Sequence, residues 1–335
     1  MRTVADILIR QLRDEDDPAL ARIHNAIHRD TPATAEEMRQ EVDRIDRRRF
    51  VSEWLVAADR KTGDVVAYAN YRHRPWSHHP GKFNASINVH PDDQGRGIGR
   101  RMMDEILPAL QARGAHHVTA WTREDWARSV AFLQRFGFVE HTRDFESRLD
   151  VGSVDLGRFG DYAEHVAQRG ISITTLADEF RRDPQCLPAV YQAHSVLDIG
   201  APREYPELPT PPTYEEFLTQ EVHHPRVLLD AFFLAKFEDL YIGESALKRS
   251  DGDPSLLHQQ LTGVLPTYRG LGIATALKLR TIDYAQRGGY RVIRTFNSSR
   301  NDPMLAINGK LGFVRQPAWI GFAKRLEPAS GAVPV

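Results

Sequence analysis

One phrase is written twice in this chain. The first copy runs Val89-His90-Pro91-Asp92-Asp93-Gln94-Gly95-Arg96-Gly97-Ile98-Gly99, and the second Val264-Leu265-Pro266-Thr267-Tyr268-Arg269-Gly270-Leu271-Gly272-Ile273-Ala274. Gln94 and Arg269, Gly97 and Gly272, and Phe138 and Phe313 are each 175 positions apart. Each copy continues into a helix-like stretch and reaches a Gly-Phe pair, Gly137-Phe138 or Gly312-Phe313. A repeat of this length with its internal spacing kept means two copies of one domain, not a solenoid of small units. The chain's 335 residues suit that reading.

The elements recur in the same order. Copy one opens with a strand at Ile7–Leu12, followed by a helix start at Asp16-Asp17-Pro18 and a capping box at Thr34 and Glu37. Strands are expected at 54–58, 65–71, 84–89 and 117–121, with helices at 99–112 and 128–136. Copy two opens at Ile171–Leu176 and repeats the capping box at Thr213 and Glu216. Its strands are expected at 228–236, 240–248, 258–264 and 291–296, with helices at 273–286 and 303–311. The fold class is therefore α/β, a mixed sheet with helices in each copy. The expected boundaries are residues 1–150 for the N-terminal domain, 151–169 for a linker, 170–327 for the C-terminal domain and 328–335 for a frayed tail.

A Gly-rich phrase between a strand and a helix is a place for an anion. Gly97 and Gly272 let backbone approach a ligand with no Cβ in the way. The first amides of the following helix lack intrahelical partners, and the helix dipole adds positive potential. A pyrophosphate fits such a cradle, and Arg96, Arg100 and Arg101 stand near the first one. A dinucleotide-binding fingerprint needs Gly-x-Gly-x-x-Gly after the first strand, and Gly95, Gly97 and Gly99 have another spacing. The Gly-Lys-Ser/Thr of a P-loop is absent.

These two phrases resemble motif A of the GNAT family of acetyl-CoA-dependent N-acyltransferases, and the two Gly-Phe pairs resemble the close of its motif B. The resemblance covers both halves, so the chain is similar to tandem GNAT proteins, a group that includes mycothiol synthase. It implies two GNAT-fold domains, each with a splayed pair of central strands that holds acetyl-CoA as co-substrate. The cofactor-binding residues it implies are Val89, Gln94, Gly95, Arg96, Gly97, Ile98, Gly99 and Arg100 in copy one. In copy two they are Val264, Arg269, Gly270, Leu271, Gly272, Ile273, Ala274, Asn297 and Asn301. It also implies a backbone amide near Val89 or Val264 as oxyanion donor, with the two copies equal on this point.

The catalytic candidates favour copy two. In histone-type members of the resembling family a carboxylate base stands eleven positions before the first motif A residue, which falls on Phe83 and His258. The strand face Phe83, Ala85, Ile87, Val89 is apolar, whereas His258, Gln260, Thr262 and Val264 include three polar groups. Glu244, inside a strand whose copy-one counterpart is Tyr68, is a second base candidate. The family's thiolate-protonating tyrosine falls on Leu133 and Asn308, and only Asn308 can donate a hydrogen bond. The expected activity is direct transfer of acetyl to a small primary amine in a ternary complex, with the C-terminal domain as catalyst. A non-catalytic acyl-CoA sensor is the alternative. In the resembling family this region borders the acceptor, so acidic Asp198, Glu204 and Glu207 are expected to attract a cationic amine.

Composition bounds the rest. Net charge is −1, and no basic-aromatic stripe points to nucleic acid. No apolar run approaches membrane-spanning length, and Met1–Asp6 lacks the pattern of a secretion signal. The single cysteine, Cys186, forms no intramolecular disulfide and fits a cytoplasmic protein. His78-His79 and His223-His224 lack further ligands, so no metal is expected. The expected partners are acetyl-CoA and the amine, with a monomer or homodimer as the assembly.

Overall fold

The computed structural model describes residues 4–43, 45–75, 78–202, 211–250 and 252–327. The expected tail 328–335 and the candidates Glu204 and Glu207 lie outside the described residues. In chain order the regular elements of the first copy are β1 (Ile7–Gln11), α1 (Asp17–Ile27), α2 (Ala35–Asp43), β2 (Ser52–Asp59), β3 (Val65–Arg72), β4 (Lys82–Val89), α3 (Ile98–Ala112), β5 (His117–Arg123) and α4 (Ala127–Arg135). There follow β6 (Val139–Asp150), α5 (Asp161–Ala167), β7 (Ile171–Thr175), α6 (Leu176–Arg182), α7 (Leu187–Ile199), α8 (Tyr214–Phe217), β8 (Val227–Phe237), β9 (Leu240–Arg249), β10 (Leu256–Val264), α9 (Ile273–Arg287), β11 (Val292–Ser298), α10 (Asp302–Leu311), β12 (Val314–Arg315) and β13 (Trp319–Arg325).

Local chemistry explains several of these boundaries. Pro18 stands in the first turn of α1, where its missing N–H costs nothing. Both expected capping boxes form. Glu37 and Thr34 exchange side-chain to backbone hydrogen bonds before α2, and Glu216 and Thr213 do so before α8. Gly137 and Gly312 take φ of 76° and 95° just past α4 and α10, the left-handed stop that glycine adopts without strain.

The chain divides into two compact units whose limits differ from the repeat boundaries. The first unit takes the described residues up to His141 together with those from Ile320 onward; the second is Thr142–Trp319. In the first, β1, β2, β3 and β4 pair antiparallel, β4 and β5 pair parallel, and β13 lies next to β5. In the second, β7, β8, β9 and β10 pair antiparallel, β10 and β11 pair parallel, and β6 runs antiparallel to β11. Each sheet is thus mixed, as expected, but its last strand comes from the other half of the sequence.

The physical reason is core completion. Ile320, Phe322 and Leu326 are buried in the first unit's core beside Met102, Ile106 and Val118. Leu149, Val151 and Val154 are buried in the second unit's core beside Leu257, Ile282 and Ile293. Burying each such side chain is worth about 1.5–3 kcal/mol. The segment expected as a linker is likewise part of the second unit, because Val154 and Val166 of 151–169 belong to that same core.

Each sheet is covered on both faces. In the second unit, α9 packs on one face through Ile273, Leu277 and Ile282. On the other, α6, α7 and α8 contribute Leu176, Leu187, Val190 and Phe217 to a separate cluster with Phe232, Tyr241 and Ala246.

Candidate active site

Both expected splays are present. Strands β4 and β5 pair only at Lys82↔His117, Phe83↔Val118 and Asn84↔Thr119 before parting. Strands β10 and β11 pair only at Leu256↔Val292, Leu257↔Ile293 and His258↔Arg294. Beyond these pairs β10 continues to Val264 with β9 on one side alone.

The register aims a backbone group into each opening. The Leu265 N–H donates to the Ile242 carbonyl at 2.8 Å, so residue 265 turns its backbone toward β9. Antiparallel alternation then turns the N–H and C=O of Val264 the other way, toward the splay. In the first unit the His90 N–H donates to the Val66 carbonyl at 2.9 Å, and Val89 is turned likewise.

The cradles match as closely. Gly95 and Gly97 have φ of 79° and 82°, and Gly270 and Gly272 both have 79°. A Cβ on Gly95 or Gly270 would meet nothing within 4 Å, so the backbone conformation, not crowding, demands glycine there. Gln94 Nε2 donates to the Val89 carbonyl and Arg269 Nε to the Val264 carbonyl, each at 3.1 Å, tying the loop to the strand end. The first intrahelical bonds are Arg101 N–H to Gly97 and Ala276 N–H to Gly272. The amides of Ile98, Gly99 and Arg100, and of Ile273, Ala274 and Thr275, therefore have no intrahelical acceptor. This donor set fits a pyrophosphate.

The arginines of the first cradle divide. Arg96 is bound to Asp93 at 2.8 Å, and Arg101 donates to the Ile7 carbonyl, away from the cradle, while Arg100 is exposed beside Asp104. The second cradle has a neighbour of its own. The Tyr162 ring of α5 lies 3.4 Å from where a Cβ of Gly272 would stand, and its hydroxyl accepts from Lys310 Nζ of α10. Tyr268 packs its ring against Phe237 at 5.8 Å.

The motif B asparagines form a small network. Buried Asn308 donates from Nδ2 to Asn297 Oδ1 at 2.7 Å, and its own Oδ1 is without a partner among the described residues. Asn301 caps α10, its Oδ1 accepting from the Met304 N–H at 3.3 Å. Leu133 at the copy-one position is packed in the core.

The polar strand face expected on β10 is broken by a bulge. Register shifts between Gln259 and Thr262. Gln259 reaches Ser245 and Thr281, Thr262 reaches Ser245, and Val264 joins the α9 core. Gln259, Thr262 and Val264 thus share the α9 face, whereas His258 is turned to the opposite face by alternation from buried Leu257. The extra residue of the bulge reverses the alternation, which a strict period of two cannot show. His258 sits at the last pair before the strands part. Burial, reinforced by Arg294 and Arg226, lowers its pKa to about 4.

Glu244 is 1% exposed, on the face of β9 opposite α9. Its Oε1 accepts from His194 Nδ1 of α7 at 2.8 Å, and its Oε2 is buried without a partner among the described residues. Burial pushes the Glu244 carboxyl up, against the pull of His194. Burial also opposes a charged His194, but the adjacent carboxylate outweighs it and raises the imidazole above its ordinary value. Glu244 lies opposite Gly263, one residue before Val264. In the first unit the same register places Tyr68 opposite Asn88, and Tyr68 is packed in an apolar cluster. His194 was not singled out from sequence. Its signal is faint: one histidine in Leu187–Ile199, between Val190 and Leu197 on the buried side.

Comparison with known proteins agrees with this geometry. The model of the acetyltransferase (GNAT) family matches residues 18–138 and 194–313. An L-methionine sulfoximine/L-methionine sulfone acetyltransferase of Pseudomonas aeruginosa is 32% identical over 85 residues, which is 25% of this chain and 49% of that protein. The chain therefore spans about half the length of that relative. A mycothiol acetyltransferase of Pseudarthrobacter chlorophenolicus is 23% identical over 239 residues, 68% of this chain and 66% of that protein. Among solved structures, a tandem GNAT protein from the clavulanic acid biosynthesis pathway superposes with a TM-score of 0.73 at 19% identity, covering 96% of this chain and 99% of the other. The chain belongs to the acetyltransferase (GNAT) family and carries two copies of its domain.

Proposed function

We propose that this protein is an N-acetyltransferase that moves an acetyl group from acetyl-CoA to the primary amine of a small molecule, with the C-terminal unit as catalyst. The carrying observation is the buried Glu244 carboxylate, paired with His194 opposite Gly263 at the open splay, where the N-terminal unit has Tyr68. Two relatives named as acetyltransferases, one for methionine derivatives and one for mycothiol, support the reaction class.

The amides of 273–275 would hold the pyrophosphate, and the Val264 N–H would face the thioester carbonyl. Asn308, through Asn297, would orient the β11 side of the splay. Acetyl-CoA supplies an activated carbonyl whose C–S bond breaks as the acceptor nitrogen bonds to carbon. The acceptor ammonium must first lose a proton, because its lone pair makes that bond. His258, whose pKa is lowered to about 4, is neutral at pH 7 and belongs to the last β10–β11 pair before the strands part. Asp198, near the end of α7, would contribute negative charge favouring a cationic acceptor.

The test is thiol release from acetyl-CoA across a panel of small amines, with the acetamide identified by mass spectrometry. Gly272→Glu puts bulk and negative charge into the second cradle, beside Tyr162. Loss of turnover in a folded Gly272→Glu protein supports the C-terminal assignment, and retained turnover moves catalysis to the other unit. Tight acetyl-CoA binding with no thiol release from any amine would make the protein an acyl-CoA-binding protein instead.

A further inference from the structure

We propose that His194 is the group that takes the proton from the acceptor amine, and that Glu244 is a positioning residue acting through it. This rests on the acetyl transfer proposed above. Three observations carry it.

First, both side chains are buried, and the imidazole is the more exposed of the two. The side chain of His194 is 9% exposed and that of Glu244 2%, and Glu244 reaches no other described group. With one oxygen held by His194 and the other buried without a partner among the described residues, the carboxylate can pass a proton outward only through the imidazole. Second, the hydrogen bond fixes the ring. With Nδ1–H donating to Glu244 at 2.8 Å, neutral His194 presents its Nε2 lone pair as the free acceptor. The Phe217 ring, 5.1 Å away, holds the imidazole from the side. A histidine oriented by a buried carboxylate is a recurrent arrangement for proton transfer. Third, the pair lies at the level of the reaction. Glu244 is the cross-strand partner of Gly263, and a Cβ on Gly263 would meet Leu197 at 3.2 Å. Leu197 is one turn from His194 on α7, so α7 crosses β10 next to Val264, whose N–H faces the splay.

The acceptor ammonium gives one proton to Nε2, and the freed lone pair bonds the thioester carbon. The C–S bond breaks with its electrons on sulfur, the second nitrogen proton ends on that sulfur, and imidazolium releases its proton to water. Other charges act on the imidazole besides Glu244. Glu221, in the turn after α8, and Asp198, on the same helix, both favour its charged form. Lys248 is held by Glu221 at 2.9 Å, and His258 is turned to the same face of the sheet.

The experiment is the pH dependence of kcat at saturating acetyl-CoA and amine for wild type, His194→Gln and Glu244→Gln. Wild type should show an acid limb set by His194. His194→Gln should lose that limb and about 100-fold in kcat. Glu244→Gln should shift the limb to lower pH, because the carboxylate that favours imidazolium is gone while burial remains. Calorimetry should find acetyl-CoA affinity within about threefold of wild type in both variants. Activity of His194→Gln within twofold of wild type, or an unmoved limb in Glu244→Gln, overturns the proposal. Should a variant fail to fold, imidazole nitrogen NMR on wild type decides, since the titration of His194 must coincide with the kinetic limb. A wild type that acetylates no amine defeats the proposed function; a wild type that turns over beside equally active variants defeats only the role of His194.

Discussion

Lys278 offers a sharp test of how the second copy was built. It is 1% exposed on α9, with its ammonium 4.9 Å from the centre of the Phe313 ring. Copy one has Met103 at the corresponding position, packed in the same core as Phe138. Burial alone lowers the Lys278 pKa from 10.5 to about 7. That difference, at 1.36 kcal/mol per pH unit, makes the charged lysine cost the fold about 5 kcal/mol below pH 7. The contact with Phe313 returns about 0.5–2 kcal/mol of what a substitution would gain. Lys278→Met should therefore stabilise the C-terminal unit by about 3–4 kcal/mol at pH 6. Between pH 7 and 10.5 the unfolded chain binds the proton that the folded chain has released, so wild-type stability rises with pH in that window. The advantage of Met should accordingly shrink by about 3 kcal/mol on going from pH 6 to pH 9. Urea unfolding followed by hydrogen exchange in α9 and β11 at the two pH values measures this. Equal stability of the two proteins at pH 6, or a gain that does not change with pH, refutes the reasoning.

Removal of residues 319–327 should unfold the N-terminal unit selectively, because Ile320, Phe322 and Leu326 complete its core at about 1.5–3 kcal/mol each. Exchange protection should vanish in α3 and β5 while β9 to β11 keep theirs, and protection retained in both would contradict the strand assignment. Glu179 accepts from Arg182 and Lys236 at 2.7 Å and from the Tyr241 hydroxyl at 2.8 Å. Burial would raise its pKa, but the bonds to Lys236 and Tyr241 outweigh it and hold the carboxyl below its ordinary value. Glu179→Gln should cost about 1–3 kcal/mol at pH 7, and that deficit should fade as pH falls through the folded carboxyl's own pKa. Urea midpoints at pH 7 and pH 3 test it.

Much of the fold is legible in the chain because it is written locally. The two glycine phrases, the capping boxes at Thr34 and Thr213 and the helix stops at Gly137 and Gly312 each depend on neighbours within a few residues. Such short-range rules act in any context, so the sequence by itself determined two copies of one mixed α/β domain with an anion cradle in each. Partnering over long separations is another matter. The bulge at Gln259–Thr262, which turns His258 away from Thr262, is set by which residue of β9 each one meets. The exchange of β6 and β13 follows from which core each strand completes, and alternating apolar residues look the same in either. The pairing of His194 with Glu244 joins a helix to a strand 50 positions later, and only burial in a shared layer gives that contact its meaning. Tertiary structure alone decided these, because free energy of burial depends on what surrounds a side chain in space, and chain separation carries no record of it.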